Sequence, residues 1–197
     1  MVKNFISKLT AAQTNILSAA MVLMSAVFAS RVLGLVRDRA LTSNFTTEEL
    51  GVFFAAFRFP DMLFQLLIMG ALSTAFIPVI SGLLAKDKES EAYQVSSSLI
   101  NLGLLIFFIL AVVFSFFAAP VSRLIAPGFN QSQVNTMANL SRIMIFSQIF
   151  FVLSNFFTGL LQSYKRFLIP ALAPIFYNFG IIIGIVFLSA PLGLYGP

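Results

Sequence analysis

Residues 94–119 read QVSSSLINLGLLIFFILAVVFSFFAA, twenty-six positions without one charged side chain. A helix needs about 20 predominantly apolar residues to cross a hydrocarbon core of roughly 30 Å, so this run is long enough to span a bilayer. Working outward, four more runs qualify, at 15–36, 50–84, 135–163 and 167–190. They are separated by the polar segments Thr42–Glu49, Lys86–Tyr93, Pro120–Gln133 and Tyr164–Arg166. No ten-residue stretch alternates with period two, which sets aside an outer-membrane barrel. In lipid every backbone polar group has to be satisfied internally, and helices then remain. The expected fold is all-α, a polytopic membrane helical bundle of five transmembrane helices, with residues 1–14 as a cytoplasmic N-terminal segment and 15–197 as the bundle.

Composition agrees and narrows the chemistry. Of 197 residues, 59% are hydrophobic and 10% charged, and there is no cysteine, histidine or tryptophan. A soluble domain would have about a quarter of its residues charged. Without thiol or imidazole the chain can hold no disulfide, no Cys/His metal cluster, no cysteine nucleophile and no Ser-His-Asp triad. It is expected not to be an enzyme, to use no metal and to need no cofactor. Twelve basic residues against seven acidic ones give +5. They stand singly among apolar runs rather than in a basic stripe, so the excess points to membrane lipids and not to nucleic acid.

Orientation follows from the loop lysines and arginines, which are in excess on the cytoplasmic side. With the N-terminus inside, the inner segments carry Lys3, Lys8, Lys86, Lys88, Lys165 and Arg166, and the outer ones Arg37, Arg39 and Arg123. That favours a cytoplasmic N-terminus. Lys3 and Lys8 before an apolar run also resemble a signal peptide with Ala29 as cleavage residue, but Arg31 and the second apolar run favour an uncleaved first span.

The second run is too interrupted for one straight rod. Pro60 removes a backbone donor and clashes with the carbonyl of Ala56, Gly70 loosens the middle and Pro78 breaks the far end. A kinked or discontinuous helix is expected. Pro170, Pro174, Gly180 and Gly184 repeat the theme in the fifth run. Such breaks are tolerated where neighbouring helices or a wet cavity satisfy the freed groups, and simple packing explains them equally well, since Gly and Pro are common in membrane helices.

Four ionisable residues fall inside the runs: Arg31, Arg58, Asp61 and Arg142. A buried arginine near the bilayer centre costs at least about 2.5–3.5 kcal/mol, so each needs a partner, a wet cavity or an interfacial depth. Arg31, followed by Arg37, Asp38 and Arg39, reads either as functional or as an interfacial cluster whose long side chains reach the headgroups. On a helical wheel Gly51, Arg58, Gln65 and Met69 share one stripe, with Asp61 to the side. An arginine on a polar stripe beside a proline break suits an anion, because the guanidinium fork matches phosphate oxygens. The competing reading is an internal Arg58–Asp61 ion pair at i,i+3. Arg142, near Asn139, Ser147 and Gln148, suits an internal hydrogen-bond network at least as well as a ligand contact.

Several motifs are familiar. Ser30-Arg31-Val32-Leu33-Gly34-Leu35-Val36-Arg37-Asp38, Phe53-Phe54-Ala55-Ala56-Phe57-Arg58-Phe59-Pro60 and Gly70-Ala71-Leu72-Ser73-Thr74-Ala75-Phe76-Ile77-Pro78 stand in order along the chain. Ala126-Pro127-Gly128-Phe129, Leu140-Ser141-Arg142-Ile143-Met144 and Arg166-Phe167-Leu168-Ile169-Pro170-Ala171-Leu172-Ala173-Pro174 follow them. Together they resemble the opening of the MurJ (MviN) lipid II flippases of the multidrug/oligosaccharidyl-lipid/polysaccharide exporter superfamily, from residue 15 to the end.

The resemblance implies a flippase in the bacterial inner membrane. It would move an undecaprenyl-pyrophosphate-linked peptidoglycan precursor by alternating access, with an arginine-lined cavity for the pyrophosphate. Arg31, Arg37 and Arg58 match the family's basic positions and are the expected substrate-binding residues. The chain departs from the family where relatives often have an aspartate at Gly51, an arginine near Phe64 and a glutamate at Met69. Asp61 is then expected to take over the pairing role of a missing carboxylate. Family members have two lobes, so five spans correspond to an incomplete N-terminal lobe, whose remaining C-terminal spans are the expected partner.

Three other functions compete. A flippase for another undecaprenyl-pyrophosphate-linked polysaccharide unit would suit the missing acids, and a non-transporting scaffold would suit the short chain. An enzyme acting on a lipid pyrophosphate needs a base or metal-binding acids, and Asp61 is the only acid inside the runs.

Overall fold

A computed structural model describes residues 16–66 and 75–197; of residues 16–19 and Val22 only the backbone is described. Lys3, Lys8, Met69 and the segment from Gly70 to Thr74 lie outside the described residues. Everything regular among the described residues is helical, with no strand. Six longer helices follow one another: α1 Ile16–Asn44, α2 Thr47–Phe64, α3 Ile77–Leu84, α4 Glu89–Ile125, α5 Gln131–Ser163 and α6 Leu168–Ile183. A π-helical turn at Gly184–Leu188, a short helix Ser189–Leu192 and a 3-10 turn Gly193–Tyr195 complete the chain.

Three of these stretches are long and apolar enough to cross a membrane, not five: Glu89–Ile125, Gln131–Ser163 and Leu168–Tyr195. The second expected span is described only as α2 and α3, with residues 67–74 between them outside the described residues. The 18 residues of α2 include Glu48, Glu49, Arg58 and Asp61, and α3 has only 8 residues, about 12 Å at 1.5 Å per residue. The first expected span coincides with the start of α1, whose opening turns are described only in part. The three spanning stretches bury at most 28% of their most apolar window. Side chains such as Phe116, Phe150 and Phe187 are at least 70% exposed, the surface a lipid-facing helix presents.

Helix ends differ from the expected polar segments for local reasons. The first helix runs past residue 36 to Asn44, and there Thr42, Ser43 and Asn44 turn their side chains back to the carbonyls of residues 38–40, one turn earlier in the same helix. Thr46 then starts α2 with a capping box in which its hydroxyl and amide exchange bonds with Glu49. Those bonds hold the Glu49 carboxyl below its ordinary range, the backbone bond contributing most. Pro120 does not end α4, which continues to Ile125. The ring is exposed, while buried Ala118 and Ser122 on either side keep the helix packed. Pro78 stands in the first turn of α3, a position that tolerates its missing N–H, and the residue four before it lies outside the described residues.

The chain divides into two compact units, Met1–Asn44 with Phe157–Pro197, and Phe45–Phe156. In the first, α1 packs along α6. After the positive-φ Gly193 the chain folds back on the π turn. A Cβ on Gly184 would stand 2.4 Å from the Gly196 carbonyl oxygen, and one on Gly196 would stand 2.6 Å from the Ser189 nitrogen. Backbone meets backbone there, and only glycine fits.

In the second unit α2, α3, α4 and α5 share a core. Phe59 stacks on Phe114 at 4.7 Å, and Phe76 meets Phe156 edge-on at 5.2 Å. Ala56, Ala111 and Ala118 are wholly buried. In lipid, helices associate by close packing rather than by exclusion of water, so small residues at the contacts let the backbones approach.

Candidate functional site

In the first unit, α1 carries Ser30, Arg31, Gly34, Arg37 and Asp38, and α6 faces it with Asn178. The Arg37 guanidinium donates from Nε and Nη2 to Asp38 Oδ1, at 3.0 and 2.8 Å, and from Nη1 to Asn178 Oδ1 at 2.9 Å. Asn178 is 6% exposed. Its amide donates to the Ser30 carbonyl and hydroxyl and to the Pro174 carbonyl, at 3.0–3.2 Å. Both ends of its carboxamide are thus engaged, and Arg37 is held from two sides with its side chain 25% exposed. A guanidinium has five donors, and these bonds leave Arg37 two N–H groups for an anion. Gly34 lies under the same amide, where a Cβ would stand 4.0 Å from Asn178 Oδ1. Arg31 is exposed and has no hydrogen-bonding partner among the described residues, so its whole fork is available.

In the second unit, the face of α2 expected to be polar is the outward one. Gly51, Arg58 and Gln65 are exposed, while Val52, Ala56, Pro60 and Phe64 are buried. Arg58 has no partner among the described residues. The expected Arg58–Asp61 ion pair is not formed. Asp61 Oδ2 instead accepts from Gln65 Nε2 at 2.7 Å, a partner at i,i+4 where side chains on a helix meet. Asp61 is therefore not the counter-ion of Arg58, and the arginine faces outward as an unpaired cation.

Pro60 lies within regular helix and introduces no break there. The bond it deletes would have run from its own nitrogen to the Ala56 carbonyl. That carbonyl accepts instead from the buried Ser141 hydroxyl of α5 at 2.8 Å. A neighbouring helix thus satisfies the freed group, as a buried carbonyl requires.

Arg142, next to Ser141, donates from Nε to the Ser115 carbonyl of α4 at 3.0 Å and from Nη1 to Asn139 Oδ1 at 2.8 Å. It serves the internal network rather than an open site. Among the described residues no three metal-ligating side chains come together.

Sequence reasoning missed Asn178 and Ser141 as positioning groups. A signal existed for each. Asn178 is the one carboxamide in the run 167–190 and follows Pro174 by four residues. Ser141 stands inside one of the familiar motifs, but nothing in the chain's order couples it to a carbonyl 85 residues earlier.

Comparison with known proteins gives a consistent answer. The family described as "Lipid II flippase MurJ" matches residues 42–196. A "Probable lipid II flippase MurJ" of Thermotoga maritima is 35% identical over 164 residues, covering 81% of this chain and 33% of that protein. One from Buchnera aphidicola subsp. Acyrthosiphon pisum is 32% identical, covering 82% of this chain and 32% of the relative. The "Lipid II flippase MurJ" of Thermosipho africanus is 31% identical over 93% of the chain and 38% of its own length. The chain spans about a third of the length of the curated relatives it matches. No solved structure matches it.

Proposed function

Since the chain belongs to the lipid II flippase MurJ family, we propose that it forms part of a flippase that carries a lipid-linked peptidoglycan precursor across the bacterial inner membrane by alternating access. The chain is multi-pass, with a cytoplasmic N-terminus and three charged segments inside. The precursor's pyrophosphate is received by guanidinium groups, and the candidates are Arg31 and Arg37 on α1 and Arg58 on α2. No group transfer is involved: the residues bind an anion, release it and re-expose it.

One observation carries this reading. Arg58 is exposed on α2 between Gly51 and Gln65 of the polar stripe, and with Asp61 bonded to Gln65 its guanidinium fork has no partner among the described residues and is free to take phosphate oxygens. Complementation of a lipid II flippase-depleted strain with the full-length reading frame tests it. Growth is expected with the native sequence, with Arg58→Ala abolishing it and Arg58→Lys retaining a part. Lysis with the native sequence at normal expression supports instead a flippase for another polysaccharide unit, which the glycine at position 51 favours.

A further inference from the structure

We propose that Ser141 is a positioning residue for Arg58, acting through the backbone carbonyl that Pro60 leaves without an amide. This rests on the reading of Arg58 as an anion-receiving group, and it adds a residue on another helix that sets where that group stands.

Pro60 has no N–H, so the Ala56 carbonyl loses the helix bond that would close the turn Ala56–Pro60. Arg58 is the middle residue of that turn. Ala56 is 0% exposed and Ser141 is 2% exposed, so water reaches neither group. A buried carbonyl without a donor is costly. If Ser141 did not supply one, the Ala56 peptide would tilt toward some other donor and carry the Arg58 backbone with it. The hydroxyl bond at 2.8 Å closes the turn from outside.

The surroundings make that closure rigid. Phe59 stacks on Phe114 of α4, and Phe64 meets Phe151 of α5 edge-on. The next residue, Arg142, ties the same stretch of α5 to Ser115 of α4. Ser141 therefore holds α2 from a fixed support. A proline in the middle of a binding helix is then a device: it moves a backbone bond from the helix itself to a neighbouring side chain, which links the turn of Arg58 to the position of α5.

These 197 residues have no cysteine, so with any cysteine elsewhere in the full-length protein replaced, Arg58→Cys is a unique thiol whose reaction rate with a water-soluble methanethiosulfonate, in membrane vesicles, reports where position 58 stands. In that background Ser141→Ala is expected to change the rate about fivefold, the shift in equilibrium that loss of one neutral hydrogen bond produces. Ser141→Thr, which keeps the hydroxyl, is expected to restore the native rate. Adding Pro60→Ala to Ser141→Ala is expected to restore it as well, because the new amide takes the Ala56 carbonyl. An unchanged rate in Ser141→Ala, or a change that Pro60→Ala does not reverse, overturns the proposal. No ligand enters this measurement, so its failure is separable from failure of the pyrophosphate reading. The latter is read by complementation with Arg58→Ala.

Discussion

Asn178 bonds at once to Arg37, Ser30 and Pro174. Replacing it by alanine leaves those partners short of one donor and one acceptor in a largely buried place, a cost of about 1–3 kcal/mol. Thermal unfolding in detergent should show a lower midpoint for Asn178→Ala, and an unchanged midpoint would mean that Arg37 is held by Asp38 alone. Glu49 gives a prediction in pH. Its carboxyl is held below the ordinary 4.5 by the amide and hydroxyl of Thr46. A depressed folded value means that the unfolded chain binds the proton first on acidification. The cap's contribution is therefore fully present above 4.5 and is lost as pH falls below it through the folded value. Glu49→Gln keeps the reciprocal bonds of the cap without the charge, so stability measured across that window should lose this dependence. Residue identities at this scale were legible in part: Arg31, Arg37 and Arg58 stand out as charges among apolar runs. That Asp61 turns to Gln65 and not to Arg58 was not legible, because both partners lie within one helical turn and only the built geometry chooses.

At the scale of elements, the two turns closed by backward backbone bonds make matching predictions. After α3 the Lys88 amide bonds back to the Leu83 carbonyl, and after α5 the Arg166 amide bonds back to the Leu161 carbonyl. In both, the residue before is left-handed: Asp87 at φ 57° and Lys165 at φ 58°. Glycine is the usual residue at such a helix stop. Lys165→Gly should stabilise by about 1 kcal/mol, and Asp87→Gly by less, because aspartate tolerates this conformation better than lysine. Chemical unfolding of the two variants checks the order. Gly184 points the other way. A Cβ there would run into the Gly196 carbonyl, with backbone on both sides and nothing flexible to yield, so Gly184→Ala should destabilise this segment markedly and loosen residues 193–196 in hydrogen exchange. Apolar runs foretold α4, α5 and α6 well, since length and composition alone select a spanning helix. Helix ends were harder. Thr42, Ser43 and Asn44 read as loop-formers, yet they lie within the helix with their side chains bonded back to the turn before.

For the molecule as a whole, the distribution of lysine and arginine predicts that the segments at 86–88 and 164–166 face the cytoplasm and that 126–130 faces the opposite side. A green fluorescent protein fused after Asp87 should fluoresce, and alkaline phosphatase fused after Gly128 should be active; the reverse pattern would invert the topology. Membrane residence and helical class were determined by sequence alone, because the hydrophobic transfer of 20-residue runs depends on composition and length and not on neighbours. Membership of the flippase family was likewise legible, from ordered motifs. Tertiary structure alone decided which charges are spoken for. Arg142 and Arg37 have partners brought from other helices, while Arg58 has none among the described residues. It also decided how Pro60 is accommodated, through a serine 85 residues away in the chain. Both outcomes depend on hydrogen bonds, which act over about 3 Å and in defined directions, and such proximity between distant residues exists only once the helices are packed.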